Sequence, residues 1–388
     1  MNDQLDGILR AGVDAGAAAG VSAVVVDRDG VRYENAFGHR AAGGDVAMTT
    51  DTVGAIFSMT KAITGAAAMQ LVEQGRLDLE APAGEVCPVL GELQVLDGFD
   101  ADGQPVLRPP TTAITLRHLL THTSGLVYDI WNADLARWYE VTGAPSLFSR
   151  LKAALATPLA FDPGTRWEYG IGIDWAGQMV EAVSGQTLGE YFAESLTGPL
   201  GMTDTAFAHS QEMAERAATM HARLPDGALA PMELPTSDEP AEFEMGGGGL
   251  QSTMTDYGRF LRMILNDGEL DGMRVLEAET VRQMSENHMG DLRVELLRST
   301  NPGFSHDAEF FPGEPKSWGL TFQINETACA TGRPAGTLMW AGLSNCYFWI
   351  DRTNGIAGAY MTQILPFADP ASLGLFLDFE TAVYDSIG

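Results

Sequence analysis

Strand-forming sequence occurs at both ends of the chain, and this separation constrains the fold more than any other feature. Residues Ser22 to Val26 are β-branched and apolar, and residues Val31 to Phe37 alternate apolar with polar side chains after a glycine-containing turn. Those two segments predict a β-hairpin. Further strand patterns return only near the C-terminus, at residues 318–324, 337–340, 346–350 and 356–363. The sequence therefore predicts one antiparallel sheet built from both ends of the chain.

The region between the two groups of strands is expected to be mainly helical. It contains helical patterns and loops punctuated by Pro109-Pro110 and Pro163-Gly164, with few strand patterns. Helices are also predicted over residues 3–18, 62–71 and 370–387. The predicted fold class is α/β (α+β), with a sheet flanked by helices and an inserted helical subdomain. A single domain is expected over residues 1–388, with an α/β subdomain at about 1–80 and 250–388 and a helical subdomain at about 81–249.

The charge of the chain limits its partners. The sequence has 23 Lys and Arg against 52 Asp and Glu, a formal net charge of −29. Such a chain repels the phosphates of nucleic acids and the surface of anionic membranes, so we expect it to bind neither. The excess of acidic residues favours solubility, and a preference for cationic substrates is the alternative interpretation.

Cysteine usage and the N-terminal sequence indicate the compartment. The three cysteines are widely spaced and form no CxxC pattern, which disfavours a disulfide framework and favours a reducing environment. The N-terminal segment carries Asp3 and Asp6 where a secretory signal needs positive charge. The sequence also has no apolar stretch of about 18 residues. We therefore expect a cytoplasmic protein, and a homo-oligomer is possible.

Lys61, one of only three lysines in the sequence, lies three residues after Ser58. On a helix, residues at i and i+3 share a face, with β-carbons about 5–6 Å apart. A serine hydroxyl is a poor nucleophile until a base takes its proton, and a lysine becomes such a base when burial lowers its pKa. The Ser-x-x-Lys spacing also arises by chance. The stronger evidence is its position at the start of the helix of small, apolar residues predicted over 62–71. Ser58 and Lys61 are therefore candidates for nucleophile and general base.

Tyr169 is a candidate proton relay. It follows the Pro163-Gly164 turn and is followed by Gly170 and Gly172, so we expect it in a loop that leads into a helix starting near Asp174. A tyrosine beside a lysine can exchange protons with it, because a nearby cation favours the phenolate. The alternative interpretation is a packed tyrosine without a chemical role.

The tripeptide Trp340-Ala341-Gly342 ends a predicted strand. Gly342 permits close approach of the backbone, and the following N–H, on Leu343, is a candidate donor to an oxyanion. The N–H of Ser58, expected at a helix start, is the second candidate donor. The alternative for Trp340 is a core residue on a strand.

Two further patterns are set aside. His118 and His122 are at i and i+4, but the sequence HLLTH lacks the glutamate of a zinc-binding HExxH, so no metal site is expected. The run at 246–249 has no following Gly-Lys-Ser/Thr and predicts a tight turn rather than a phosphate site. No Gly-x-Ser-x-Gly is present, which argues against the nucleophile elbow of an α/β-hydrolase.

Taken in order, Ser-x-x-Lys, a tyrosine and a strand tripeptide ending in glycine resemble the serine β-lactamase and penicillin-binding-protein superfamily. The order and separations are similar to those of the class C β-lactamases, and Trp-Ala-Gly is similar to the family VIII carboxylesterases. Segments 116–126 and 246–253 are also typical of this group, so the resemblance covers nearly the whole chain. It implies a β-lactamase/transpeptidase-like fold with Ser58 as nucleophile, Lys61 and Tyr169 as the proton-transferring pair, and no cofactor.

Two positions depart from the class C pattern. Those enzymes carry Tyr-x-Asn, whose asparagine helps hold the β-lactam amide and the lysine, and here the third position is Ile171. They also carry Lys-Thr-Gly, and here Trp340 replaces the lysine that attracts the carboxylate of the drug. Losing a cation and gaining an indole favour apolar esters over anionic antibiotics. Trp340, Gly342 and Ile171 are therefore predicted to contact substrate, and Tyr128 is a further candidate.

The sequence thus predicts a carboxylesterase that hydrolyses short- to medium-chain apolar esters through an acyl-enzyme on Ser58, with at most weak β-lactamase activity. A β-lactamase, D-amino-acid peptidase or amidase of the same fold is the alternative. A non-catalytic scaffold on the same fold is the third hypothesis, and the intact Ser58, Lys61 and Tyr169 argue against it. Segment 286–316 is expected to border the site.

Overall fold

The strands of the protein form one large sheet, a three-stranded sheet in the order β16-β6-β7 and several short pairs. The computed structural model describes residues 2–234 and 240–387. In chain order the strands are β1 (Gly20–Asp27), β2 (Val31–Gly38), β3 (Gly54–Ala55), β4 (Val95–Phe99), β5 (Pro105–Arg108), β6 (His221–Arg223), β7 (Leu229–Pro231), β8 (Gln251–Ser252), β9 (Glu269–Leu270), β10 (Met273–Arg274), β11 (Lys316–Trp318), β12 (Gln323–Asn325), β13 (Leu338–Gly342), β14 (Cys346–Asp351), β15 (Ile356–Met361) and β16 (Ile364–Leu365). Seven of them form an antiparallel sheet in the order β11-β12-β13-β14-β15-β1-β2. The predicted sheet built from both ends of the chain is confirmed.

The α-helices of the protein include some that pack on each face of this sheet. In chain order they are α1 (Asn2–Asp14), α2 (Thr60–Glu73), α3 (Leu116–Leu120), α4 (Ala133–Thr142), α5 (Gly172–Ser184), α6 (Leu188–Ser195), α7 (Gln211–Glu215), α8 (Met254–Leu265), α9 (Ala278–Met284) and α10 (Pro370–Ile387). Gly258 of α8 packs on Val24 of β1. Tyr360 of β15, which pairs with the neighbouring Ala23, packs on Phe376 of α10. Because successive side chains of a strand point to opposite faces, α8 and α10 lie on opposite sides of the sheet.

Helix α2 is buried along most of its length. Every residue from Thr60 to Leu71 is buried, and the helix packs against α5. A Cβ at Gly65 would lie 2.6 Å from Cβ of Thr321 in the loop between β11 and β12, so this contact requires glycine. The helix therefore carries Lys61 into the interior of the protein.

The prediction of one strand over residues 318–324 is wrong. Strand β11 ends at Trp318, the chain reverses, and β12 returns antiparallel with Gln323 opposite Trp318. Thr321, within the reversal, adopts φ 95°, and its hydroxyl donates to the carbonyl oxygen of Lys61 at 2.7 Å. The reversal is thus tied to α2, and this tertiary contact overrides the local strand pattern.

Other differences from the sequence predictions are small. Helix α1 ends at Asp14 rather than near residue 18, because Gly16 adopts φ 80° and ends the helix. The middle of the chain contains short strands that the sequence pattern did not predict, namely the pair β4–β5 and the strands β6 and β7, which form a small sheet with β16. The three cysteines are buried free thiols. Within residues 2–234 and 240–387, no helix has both the length and the apolarity needed to cross a membrane.

Candidate active site

Ser58 lies at the head of α2. It is the middle residue of a 3₁₀ helix, Phe57–Met59, that runs directly into α2 at Thr60. Phe57 adopts φ 42°, in the left-handed region that is costly for a residue with a side chain. Such strain persists only where the surroundings enforce it, and it clusters at functional sites. The strained residue directly precedes the predicted nucleophile.

The amine of Lys61 contacts three oxygen atoms. Its Nζ lies 3.2 Å from Oγ of Ser58, 2.9 Å from the hydroxyl of Tyr128 and 2.5 Å from the carbonyl oxygen of Gly247. A carbonyl oxygen only accepts, so one N–H of Lys61 is committed to Gly247. A neutral amine that also donates to Tyr128 keeps its lone pair for the proton of Ser58. The geometry therefore fits a general base that activates Ser58.

Burial favours the neutral form of this amine. Lys61 is 0% exposed, and loss of solvation lowers its pKa to about 7, with the carboxylate of Asp174 opposing the shift. Burial also raises the pKa of the Tyr128 and Tyr169 hydroxyls above the usual value for tyrosine. At neutral pH Lys61 is therefore the group best suited to accept a proton, whereas the Tyr169 hydroxyl keeps its own.

Tyr169 connects the head of α2 to β13. The indole N–H of Trp340 donates to its hydroxyl oxygen at 2.9 Å, and hydrogen bonds with Ser58 and Trp340 partly offset the effect of burial on its pKa. Because its oxygen accepts from Trp340, its own proton is free to point toward Ser58 or a leaving group. The amine of Lys61 lies 4.9 Å from the centre of the Tyr169 ring. Tyr169 is thus placed to relay a proton.

A narrow apolar pocket lies beside Ser58, with a cavity volume of about 10 Å³. Its walls combine predicted site residues with aromatic and aliphatic side chains, namely Ser58, Trp131, Tyr169, Leu297, Trp340, Ala341, Gly342, Leu343 and Phe367. None of these lining residues carries a charge. Segment 286–316, which was expected to border the site, contributes Leu297.

Gly342 allows β13 to approach the head of α2. A Cβ at this position would lie 2.2 Å from the carbonyl oxygen of Ile56, which is closer than the two atoms can approach. Leu343 follows it in the pocket wall. The N–H groups of Leu343 and Ser58 are the predicted oxyanion donors, and both residues line the same pocket.

Two residues predicted to bind substrate lie outside the pocket wall. Tyr128 contacts Lys61 through its hydroxyl, and its ring centre lies 5.4 Å from that of Tyr169. Ile171 is 3% exposed and belongs to the hydrophobic core at the start of α5. Neither residue is among those that line the pocket. The structure therefore places Tyr128 beside the predicted catalytic groups and Ile171 in the core.

Asp174, Gly247, Trp131 and Phe367 join the site without having been predicted as site residues. Asp174, in the first turn of α5, is 0% exposed and accepts the N–H of Gly247 at 2.9 Å. The sequence signal that could have identified Asp174 was a carboxylate among apolar residues in the first turn of α5. Trp131 and Phe367 come from short irregular segments, and no sequence pattern marked them.

The two histidines of the HLLTH sequence have structural contacts. The Nδ1 atom of His118 accepts the N–H of Thr115, which caps α3. The Nδ1 atom of His122 accepts the N–H of Gly170, and its ring packs 4.6 Å from that of Tyr169. Within residues 2–234 and 240–387, no group of three or more metal-ligating side chains is assembled.

Comparison with known families agrees with this geometry. The family model described as Beta-lactamase matches residues 5–382. The chain belongs to the β-lactamase family. The predicted β-lactamase/transpeptidase-like fold is thereby confirmed.

Relatives of this β-lactamase-family chain include an esterase and an acyltransferase. A lovastatin esterase from Penicillium rubens is 32% identical, with 98% of each chain covered. A monacolin J acid methylbutanoyltransferase from Aspergillus terreus is 31% identical, with 93% of this chain and 91% of the relative covered. A mutant of simvastatin synthase from Aspergillus terreus has a structure that matches with a TM-score of 0.86 and 30% identity over 99% of this chain and 94% of its own. The chain thus has a serine hydrolase-type enzyme fold with esterase and acyltransferase relatives.

The pKa of Lys61 predicts how the reactivity of Ser58 depends on pH. A fluorophosphonate is expected to react with Ser58 at a rate that rises as the pH increases through about 7, because only the neutral amine accepts the serine proton. Intact-mass time courses on both sides of that pH measure the rate. Lys61→Met is expected to react slowly at every pH. A wild-type rate that is independent of pH would contradict the assignment of Lys61 as the base.

Proposed function

We propose that the protein is a carboxylesterase that hydrolyses small apolar esters through an acyl-enzyme on Ser58. The observation that carries the proposal is the buried amine of Lys61, 3.2 Å from Oγ of Ser58, beside an uncharged pocket. A base poised near neutrality and held next to a serine is what nucleophilic catalysis needs. The closest description is an enzyme of the family VIII carboxylesterase type.

In the acylation step, Oγ of Ser58 attacks the ester carbonyl carbon while its proton passes to Nζ of Lys61. The carbonyl oxygen becomes an oxyanion, which the N–H groups of Ser58 and Leu343 stabilise, each by about 3 kcal/mol. The bond to the alcohol oxygen then breaks, and the leaving oxygen takes a proton from Tyr169, which recovers one from Lys61. The alcohol departs and the acyl group stays on Ser58.

In the deacylation step, water attacks the acyl carbon and gives its proton to the same pair, Lys61 and Tyr169. The second oxyanion forms in the same place as the first. Its collapse breaks the bond to Oγ of Ser58, and the serine recovers its proton while the carboxylic acid leaves. Microscopic reversibility requires the groups that act as base in one step to act as acid in the other.

The pocket wall supports small, uncharged substrates. Trp340 occupies the position of the lysine that class C β-lactamases carry, and its indole donates to Tyr169 instead of binding a carboxylate. The remaining walls are aromatic or aliphatic, and the narrowness of the pocket favours a short acyl chain over a long one. Apolar burial of the acyl chain then provides most of the binding free energy.

A serine-to-alanine change tests the nucleophile. Ser58→Ala is expected to lower kcat/KM for p-nitrophenyl butyrate by at least about 10³-fold, because no other group forms the acyl-enzyme. Ser386→Ala, at an exposed position of α10, is the matched control and is expected to keep full activity. Full turnover by Ser58→Ala would contradict the proposal.

The size and polarity of the pocket predict substrate preference. The value of kcat/KM is expected to fall as the acyl chain grows beyond the space beside Ser58, and to be far lower for a cephalosporin or a D-Ala-D-Ala peptide than for a butyrate ester. Leu297→Ala, which enlarges the pocket without touching Lys61 or Tyr169, is expected to shift the optimum to longer chains. Leu224→Ala, at an exposed position, is the control. A cephalosporin that outperforms the short esters would support the β-lactamase alternative.

Acyl transfer to an alcohol is the second candidate function. It is favoured by the burial of the catalytic groups, since Lys61 is 0% and Tyr169 2% exposed, and by the methylbutanoyltransferase among the relatives. An apolar alcohol that enters the uncharged pocket competes with water for the acyl-enzyme. Adding an alcohol to the butyrate assay is expected to yield the new ester at the expense of butyric acid, as measured by gas chromatography. Butyric acid as the sole product at every alcohol concentration would assign hydrolysis alone.

A further inference from the structure

A buried carboxylate lies beneath the catalytic lysine and outside the substrate pocket. Asp174 is 0% exposed, and it is not among the residues that line the pocket. Its Oδ1 accepts the N–H of Gly247 at 2.9 Å, and its Oδ2 has no hydrogen-bond partner within residues 2–234 and 240–387. A carboxylate in such a place is costly unless a positive charge compensates it. Burial raises the pKa of this carboxyl, and the positive group that opposes the effect is Lys61.

We propose that Asp174 is a positioning residue for the reaction: it fixes the Gly247 carbonyl that holds the Lys61 amine, and its negative charge sets the pH at which that amine loses its proton. The inference rests on the proposed function, because it takes Lys61 as the base. It assigns Asp174 no contact with substrate.

A continuous chain of contacts links Asp174 to Lys61. The carboxylate accepts the N–H of Gly247, and the carbonyl of the same residue accepts Nζ of Lys61 at 2.5 Å. The preceding carbonyl, of Gly246, accepts the hydroxyl of Thr64 on α2 at 2.7 Å. The predicted tight turn at 246–249 is thus held between α5 and α2. Its role is to present a carbonyl oxygen to the catalytic amine.

The carboxylate of Asp174 also packs closely against this turn. A Cβ at Gly247 would lie 2.2 Å from Oδ2 of Asp174. At Gly248, the next residue, a Cβ would meet no atom closer than 3.8 Å. Neither glycine is required for a left-handed conformation, since neither has a positive φ. The glycine at 247 is therefore needed for the space that the carboxylate occupies.

The charge around the Lys61 amine comes from few groups. The other titratable groups that face Lys61 are Tyr128, Tyr169 and His122. Burial raises the pKa of both tyrosines and lowers the pKa of His122 well below its usual value, so all three are uncharged at neutral pH. Asp174 is left as the group whose charge favours the ammonium form of Lys61 and opposes the effect of burial. Without this charge, the amine would stay neutral to a lower pH.

The test is the pH dependence of kcat/KM for Asp174→Asn. Asparagine keeps an acceptor for the Gly247 N–H and removes the charge. The rise of activity with pH is therefore expected to move to lower pH by one unit or more, since a nearby opposite charge shifts a pKa by about 1–3 units. Asp174→Ala also removes the acceptor and is expected to lose about a further tenfold in activity on the plateau. A residue with a merely structural role would lower the plateau and leave the pH midpoint in place.

Matched variants distinguish a shift of the pH midpoint caused by loss of the Asp174 charge from the effect of losing any buried polar side chain. Asp256→Asn removes another buried carboxylate that accepts a backbone N–H, on α8 and without contact to Lys61, and is expected to keep the wild-type midpoint. Gly247→Ala is expected to displace the carboxylate and to lower activity, whereas Gly248→Ala is expected to retain it. The glycine pair also tests the inference if Asp174→Asn does not fold.

Two outcomes would overturn the inference: a midpoint of Asp174→Asn that equals the wild-type midpoint, or a Gly247→Ala variant as active as Gly248→Ala. The rate of fluorophosphonate labelling at Ser58 provides a second measure of the midpoint that does not depend on the substrate. If wild-type Ser58 is labelled but esters are not hydrolysed, the proposed function fails, and the shift of the labelling midpoint in Asp174→Asn still decides the role of Asp174.

Discussion

The removal of the Lys61 amine from water is the interaction on which the rest of the site depends. A solvated lysine with a pKa of about 10.4 is protonated at neutral pH and cannot take a proton from serine. The structure buries this amine completely, at the second position of a helix that is itself buried from Thr60 to Leu71. Burial therefore converts the lysine into a base, and it also explains why the helix is built from small apolar residues.

Four segments of the chain exclude water from the Lys61 amine and hold it in place. Loops that lead from α3 and into α5 supply Tyr128 and Tyr169, and β13 closes the site through Trp340. The reversal between β11 and β12 is tied to the backbone of Lys61 by Thr321. The helical middle of the chain and the sheet thus meet at one amine, which explains why site residues come from all parts of the sequence.

Much of the site could be predicted from local sequence, because its parts are marked locally. Ser58 and Lys61 are one helical turn apart, and the apolar run after them indicates the burial that lowers the pKa of the lysine. Tyr169 is marked by its glycine-rich loop and Trp340 by its strand end. The order of these three segments along the chain resembles that of the β-lactamase superfamily, and this resemblance indicated that they form one site. The match to the family model confirms the family.

The remaining features depend on contacts between distant residues, which no local pattern encodes. Tyr128 was predicted to bind substrate, but its hydroxyl lies against Lys61. Ile171 was chosen because it departs from a family pattern, and it packs in the core. The strand prediction over 318–324 failed because Thr321 forms a long-range hydrogen bond. Asp174 was noted only as a helix start, since its partner Gly247 is far away in sequence.

The protonation state of Lys61 can be measured directly, because the chain has only three lysines. Selective ¹³C and ¹⁵N labelling of lysine gives three side-chain signals, and the signal that disappears in Lys61→Met identifies the residue. A titration followed by NMR is predicted to give a pKa of about 7 for Lys61. A value near 10.4, that of a solvated lysine, would contradict the account, since Lys61 would then be a cation at neutral pH and unable to activate Ser58.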